Sequence, residues 1–179
     1  MSLGAKDVLS GSFTGAWQTL EATMGGVTQE IADRPVPGRA LAVGAAYAHA
    51  VIAADNLVNG MLAGRAPLGA GEWAGRTGAS APMPMPGGQA DDLGGWYRTV
   101  RIDLDACHAY ATAVWESIGA YLAAATDEDL AKPVDMSFAG AGMLPAGLVF
   151  SLFITAHLNN LTGEISAIKG VHGLKGYPF

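Results

Sequence analysis

Apolar residues recur along this chain at spacings of three and four, and no stretch keeps strand-like alternation between hairpin turns. Four helices account for most of that pattern. The first is predicted over Ala5 to Met24, where Leu9, Phe13, Trp17 and Leu20 share one face and Gly25-Gly26 stops the run. Thr28 has the character of an N-cap for a short turn ending at Asp33, and Pro35-Val36-Pro37-Gly38 then breaks the backbone. A second helix is predicted from Arg39 to Leu62, with Leu41, Ala45, Ala48, Ile52, Asp55 and Val58 on related faces and His49 in its middle.

From Gly64 to Gly95 glycine is frequent and four prolines occur, including the run Pro82-Met83-Pro84-Met85-Pro86-Gly87-Gly88, which cannot sustain a helix interior. This predicts a long connection, an excursion more than a lid. The third helix is predicted over Trp96 to Ala125, because Val100, Leu104, Cys107, Ala111, Val114, Ile118 and Tyr121 repeat in steps of four and three, the seam of bundle packing. Thr126-Asp127-Glu128-Asp129 has the form of a capping box, and Pro133 closes the short turn that it starts. The fourth helix is predicted from Pro145 to Lys169, with Gly170 as its stop. The architecture expected is an all-α, up-down four-helix bundle with a long second-to-third connection, one domain over residues 1–179.

Composition narrows the functions. Half of the residues are apolar, 15% are charged and the net charge is -6 without a basic cluster, which argues against phosphate-backbone recognition and so against nucleic acid as a partner. The most apolar stretch, Ala139 to Leu158, is interrupted by Gly140, Gly142, Pro145 and His157, which suits a buried helix better than a membrane span. Cys107 is the sole cysteine, so no internal disulfide forms, and with no export signal evident a cytoplasmic location is expected. The low charge also fits a helix-packed homodimer.

His49 and His157 stand near the middles of the second and fourth helices, where inward-facing side chains of a bundle can meet around a divalent metal of the zinc or nickel type. Two imidazoles leave a catalytic site one ligand short. The position one turn beyond His157, on the same face, holds Leu161; Asn160 offers only a weak amide oxygen, and Glu164 lies roughly 10 Å further along the axis. Asp55 points elsewhere. His108 and His172 are expected to be held by ordinary hydrogen bonds, Trp17 and Trp115 to fill core or interface space, and Met83 and Met85 to pack the loop.

The segment His157-Leu158-Asn159-Asn160-Leu161-Thr162-Gly163-Glu164-Ile165 resembles the fourth-helix signature of DinB-like proteins, in which His-x-x-x-His is followed by any residue, then Gly, Gln or Glu, and an aliphatic residue. His157, Gly163, Glu164 and Ile165 match, and Leu161 stands where the family has its second histidine. Ala46-Tyr47-Ala48-His49-Ala50-Val51-Ile52 resembles the family's second-helix ligand motif, and the order of helices fits over nearly the whole chain. The resemblance implies a divalent metal held by His49 and His157, lost or weakened because Leu161 replaces a ligand. It further implies kinship with mycothiol-dependent maleylpyruvate isomerase-like bundles, some of which are thiol-dependent transferases. Three functions are expected from this: a metal-dependent enzyme acting on a small thiol, a non-catalytic bundle whose former metal cavity binds a small molecule, or a structural homodimer. The catalytic residues themselves are not readable from the sequence.

Overall fold

The computed structural model describes residues 3–84 and 90–179, so Met85-Pro86-Gly87-Gly88 of the proline-rich run lies outside them. The chain is mostly helical. Helix α1, Ala5–Met24, has the predicted bounds, and the short α2, Gln29–Asp33, starts at Thr28, whose hydroxyl accepts from the Ile31 amide. Helix α3, Val43–Asp55, passes directly into a π-helical segment, Asn56–Leu62. Its start falls four residues after the predicted Arg39, because Gly38 turns the chain with φ +81° and Ala42 is still extended.

The single third helix expected over Trp96 to Ala125 is two helices: α4, Ala90–Thr99, and α5, Leu104–Ala124. Between them the backbone finds partners elsewhere. The Ser80 amide donates to Arg101 O at 2.9 Å and the Asp103 amide to Gly78 O at 2.8 Å. Gln29 spans the same gap, its Nε2 donating to Ile102 O at 2.6 Å and its Oε1 accepting from Leu104 N at 3.0 Å. The Asp103 carboxylate then caps α5 by accepting from Ala106 N. Apolar spacing runs on through the break because Val100, Ile102 and Leu104 are all buried, and burial alone does not require helix.

After α6, Asp127–Ala131, opened by the capping box of Thr126 and Asp129, two strands depart from the expected absence of any strand. Strands β1, Pro133–Asp135, and β2, Met143–Pro145, pair antiparallel with Val134 opposite Leu144. Pro145 is therefore the last strand residue, opposite Pro133, and the predicted fourth helix begins one residue later. It comprises α7, Ala146–Val149, a π-helical segment, Phe150–Thr155, and α8, Ala156–Val171.

The four long runs pack in a closed cycle: α1 lies against α5 and α8, and α3 lies against the same two. Phe13 stands at the centre of an aromatic cluster, its ring 5.5 Å from Phe150 and 6.1 Å from Trp115 in edge contacts and 6.4 Å from Trp17, while Trp115 and Tyr47 are fully buried beside it. Among the described residues no helix is long and apolar enough to cross a membrane.

The described part of the long connection is built around one acid. Asp55, 1% exposed, accepts from Tyr110 Oη at 2.5 Å, Asn59 Nδ2 at 2.6 Å, Gly69 N at 2.8 Å and Leu68 N at 3.0 Å. The two amides belong to a 3-10 turn, Leu68–Ala70, so the carboxylate of α3 fixes the first bend of the loop. Glycine is required at position 69, since a Cβ there would lie 2.8 Å from Tyr110 Oη, and at Gly78, where φ is +80° and a Cβ would lie 2.6 Å from Asp103 O.

Candidate functional site

His49 projects from the middle of α3 and His157 from the first turn of α8, immediately after the Phe150–Thr155 π segment. The packing of α3 on α8 brings them together: their ring centroids are 4.9 Å apart and the rings meet edge to face at 65°. A third side chain joins them from α4. The Tyr97 hydroxyl lies 2.5 Å from His49 Nδ1, within a hydrogen bond, and the two ring centroids are 5.5 Å apart. All three are half-buried.

Burial sets the charge of this group. Desolvation, with the positive charge of His157 as a smaller cause, pulls His49 down to about 4 from the usual 6.5. Burial lowers His157 as well. Burial and then the negative charge of Glu164 raise the Tyr97 phenol, which stays protonated. At neutral pH the site thus presents two neutral imidazoles and a neutral phenol. Among the described residues, the buried polar atoms without a partner are Thr155 Oγ1 and His172 Nε2.

Two separate cavities touch α3, one before and one after His49 in the sequence, and His49 lines neither. Ala42 and Ala45 line a cavity of about 210 Å³ together with Tyr97. Ile52 and Asn56 line one of about 520 Å³ together with Met83 and Tyr110.

The donor set does not fit a catalytic metal ion. Three protein ligands are the usual minimum, and among the described residues no group of three or more His, Cys, Asp or Glu side chains could hold one. Leu161 is 5% exposed and packed in the core, with no donor to offer. No step is derived through an ion.

The remaining sequence candidates fall elsewhere. Asp55 faces the loop and Tyr110, away from the histidine pair. His108 is held by Tyr47 Oη at 2.8 Å and sits 3.3 Å from the carboxylate of Glu21. Glu21 also accepts from Tyr47 Oη and Trp115 Nε1; burial raises its carboxyl, and His108, then Trp115 and Tyr47, outweigh that and lower its pKa. His172, expected to be held by an ordinary hydrogen bond, has its Nε2 buried without a partner among the described residues. Burial pushes the Cys107 thiol up to about 12, which leaves it inert as a nucleophile at neutral pH.

Tyr97 is the residue that reading the sequence missed. It lies 48 positions from His49, in a segment read as the start of an unremarkable helix, and no local spacing links the two. No family model and no curated protein matches the chain.

Proposed function

We propose that this chain is a DinB-like four-helix bundle with a degenerate divalent-metal site, and that the place where His49 of α3 meets His157 of α8 now binds a small molecule instead of acting through a tightly held ion. The contact of the two neutral, half-buried imidazoles carries this reading, because paired polar groups brought together between packed helices fix the orientation of a small ligand. The cycle of four packed helical runs and the long connection between α3 and α5 support the bundle.

A second reading is a metal-dependent transferase or isomerase acting on a small thiol. One observation favours it: His49 is oriented by a hydrogen bond to its Nδ1, as metal-ligating histidines are oriented through the nitrogen that does not bind the ion.

Elemental analysis of untagged protein, before and after loading with zinc or nickel, separates the two. The binding-protein reading expects a metal-to-protein ratio well below one. A ratio near one that collapses in both His49→Ala and His157→Ala would establish the metalloenzyme instead. Leu161→His supplies a donor one turn beyond His157, so zinc affinity measured by calorimetry is expected to rise by about tenfold or more, the contribution of one added ligand of this kind. An unchanged affinity would mean that position 161 does not share the face of His157.

A further inference from the structure

Six arginines occur in this chain, and the fold divides them into two sets of three. Arg34 pairs with Glu30, Arg65 donates to Asn59 Oδ1 and Ser117 Oγ, and Arg76 donates to the Glu72 carbonyl. Among the described residues Arg39, Arg98 and Arg101 form no ion pair. These are the three that line two adjoining cavities, one of about 210 Å³ and one of about 220 Å³. Both cavities are walled by Gly38, Ala40, Tyr97 and Arg98, with Arg101 in the lining of the first and Arg39 in that of the second. One wall is the chain just before α3 and the other is the end of α4 with the joint to α5, tens of residues apart, so the cluster does not show in the sequence.

The main chain fixes both walls. Gly38, with φ +81°, turns the backbone immediately before Arg39. Ser80 clamps Arg101 from both sides, its amide donating to Arg101 O and its Oγ accepting from Arg101 N, each at 2.9 Å. Gly94, in the lining of the second cavity, leaves space for the guanidinium one turn later: a Cβ at position 94 would lie 3.5 Å from Arg98 Nη1. Asp33 is the one acid in either lining, and its Oδ2 already accepts from Gln29 Nε2 at 2.9 Å. Three positive charges therefore face one negative charge here, in a chain whose net charge is -6.

We propose that the two adjoining cavities form one binding site for a small organic anion, an oxyanion head on an apolar body. A guanidinium presents planar, forked donors that match carboxylate and phosphate oxygens, and Arg98, shared by both cavities, stands where such a head meets Arg39 or Arg101 as well. Val36, Leu41, Ala45 and Val100 give the rest of the lining its apolar part. Tyr97 contributes its ring, since its hydroxyl is held at His49 Nδ1. The overall negative charge of the chain does not prevent binding, because charges further off than about 10 Å are largely screened at 0.1 M salt whereas the arginines are in the cavity wall. The proposal stands on these cavities and is independent of the reading given to the histidine pair.

Calorimetric titration of the full chain with benzoate, phenyl phosphate and acetophenone tests it, because the three share a ring and differ in the head. Both anions are expected to bind about tenfold more tightly than acetophenone or better, and the tighter of the two identifies the head group. Arg98→Gln is expected to weaken anion binding about tenfold, and Arg39→Gln and Arg101→Gln about threefold each. Arg76→Gln removes the same charge from an arginine outside the cavities and is expected to leave binding unchanged. Ala40→Trp fills space common to both cavities without altering charge, and a loss of about tenfold is expected. All of the substituted side chains in the cavities are exposed, so the variants are expected to keep the melting temperature of the wild type. Should Arg98→Gln unfold, Arg39→Gln in the loop before α3 carries the test. No binding of either anion, or acetophenone binding as tightly as both, overturns the anion site. Arg76→Gln weakening binding as much as Arg98→Gln would reduce the effect to the general field of the chain, and Ala40→Trp without effect would put the anion outside the cavities; either result overturns the proposal.

Discussion

At the scale of single residues, this protein places its polar side chains where burial decides their charge. His49 is the case with a measurable consequence. Its folded pKa of about 4 lies below the usual 6.5, so between those values the unfolded chain takes up a proton that the folded chain refuses. Stability is fully present above pH 6.5 and falls as the pH drops towards 4, by about 3 kcal/mol in all at about 1.4 kcal/mol per unit. His157 is shifted in the same direction and adds to the slope, whereas Glu21, whose pKa is lowered, loses its contribution only below the ordinary carboxylate value of 4.5. Urea midpoints measured from pH 7.5 to 4 are expected to fall across this window in the wild type and to fall less in His49→Gln. An equal fall in both would place the titration elsewhere.

Asp55 and Thr155 lie at opposite ends of polar satisfaction. Asp55→Ala strips four donors of their acceptor inside the protein, and the loss of stability is expected to be about 3–5 kcal/mol, the range for a broken buried polar network. Faster proteolysis between residues 68 and 84 would mark the freed loop, and a stability change under 1 kcal/mol would show that water replaces the carboxylate. Thr155 is 8% exposed, and its buried hydroxyl has no partner among the described residues. Thr155→Val removes it at nearly constant shape and is expected to stabilise the fold by about 1 kcal/mol, seen as a higher melting temperature.

Among the elements, the long helices depend on one another for their ends. Helix α1 has no basic residue in its last turn, where its unpaired carbonyls concentrate negative partial charge. The missing cation comes from α8: Lys169, 3% exposed, donates to Thr23 O and, at 2.8 Å, to Gly25 O. Lys169→Met keeps the length of the side chain and removes the charge, and the expected cost is about 1–3 kcal/mol in equilibrium unfolding. A neutral result would mean that solvent satisfies those carbonyls once the lysine is gone. The two π segments act differently. Each stretches the hydrogen-bond ladder to five residues and so turns the helix that follows by about 100° for every residue inserted. The segment Phe150–Thr155 ends one residue before Ala156-His157, so it sets the direction in which His157 leaves the helix.

For the whole molecule, function lives where separate elements converge and not within any one of them. The candidate site takes His49 from α3, Tyr97 from α4 and His157 from α8, and its electrostatics take Glu164 from two turns further on. The same holds for the Glu21, Tyr47, His108 and Trp115 cluster, which joins α1, α3 and α5 across the opposite packing. The low pKa of His49 comes from its burial and then from His157, so it reports on the packing of α3 against α8. An acid-destabilised protein whose His49 titrates near 6.5 would be one whose helices had already separated.

Periodicity along the chain determined the helical class, the bounds of α1, the capping box at Thr126 and the placing of His49 and His157 within helices, because each follows from residues within a turn or two of one another. Tertiary structure alone decided the break between α4 and α5, the β1–β2 pairing, the burial of Asp55 and the arrival of Tyr97 at His49. In each of these a backbone or side-chain group finds its partner well beyond a helical turn, about ten residues away in the strand pair and tens of residues away in the others, and hydrogen bonds over such distances leave no spacing for a sequence to display.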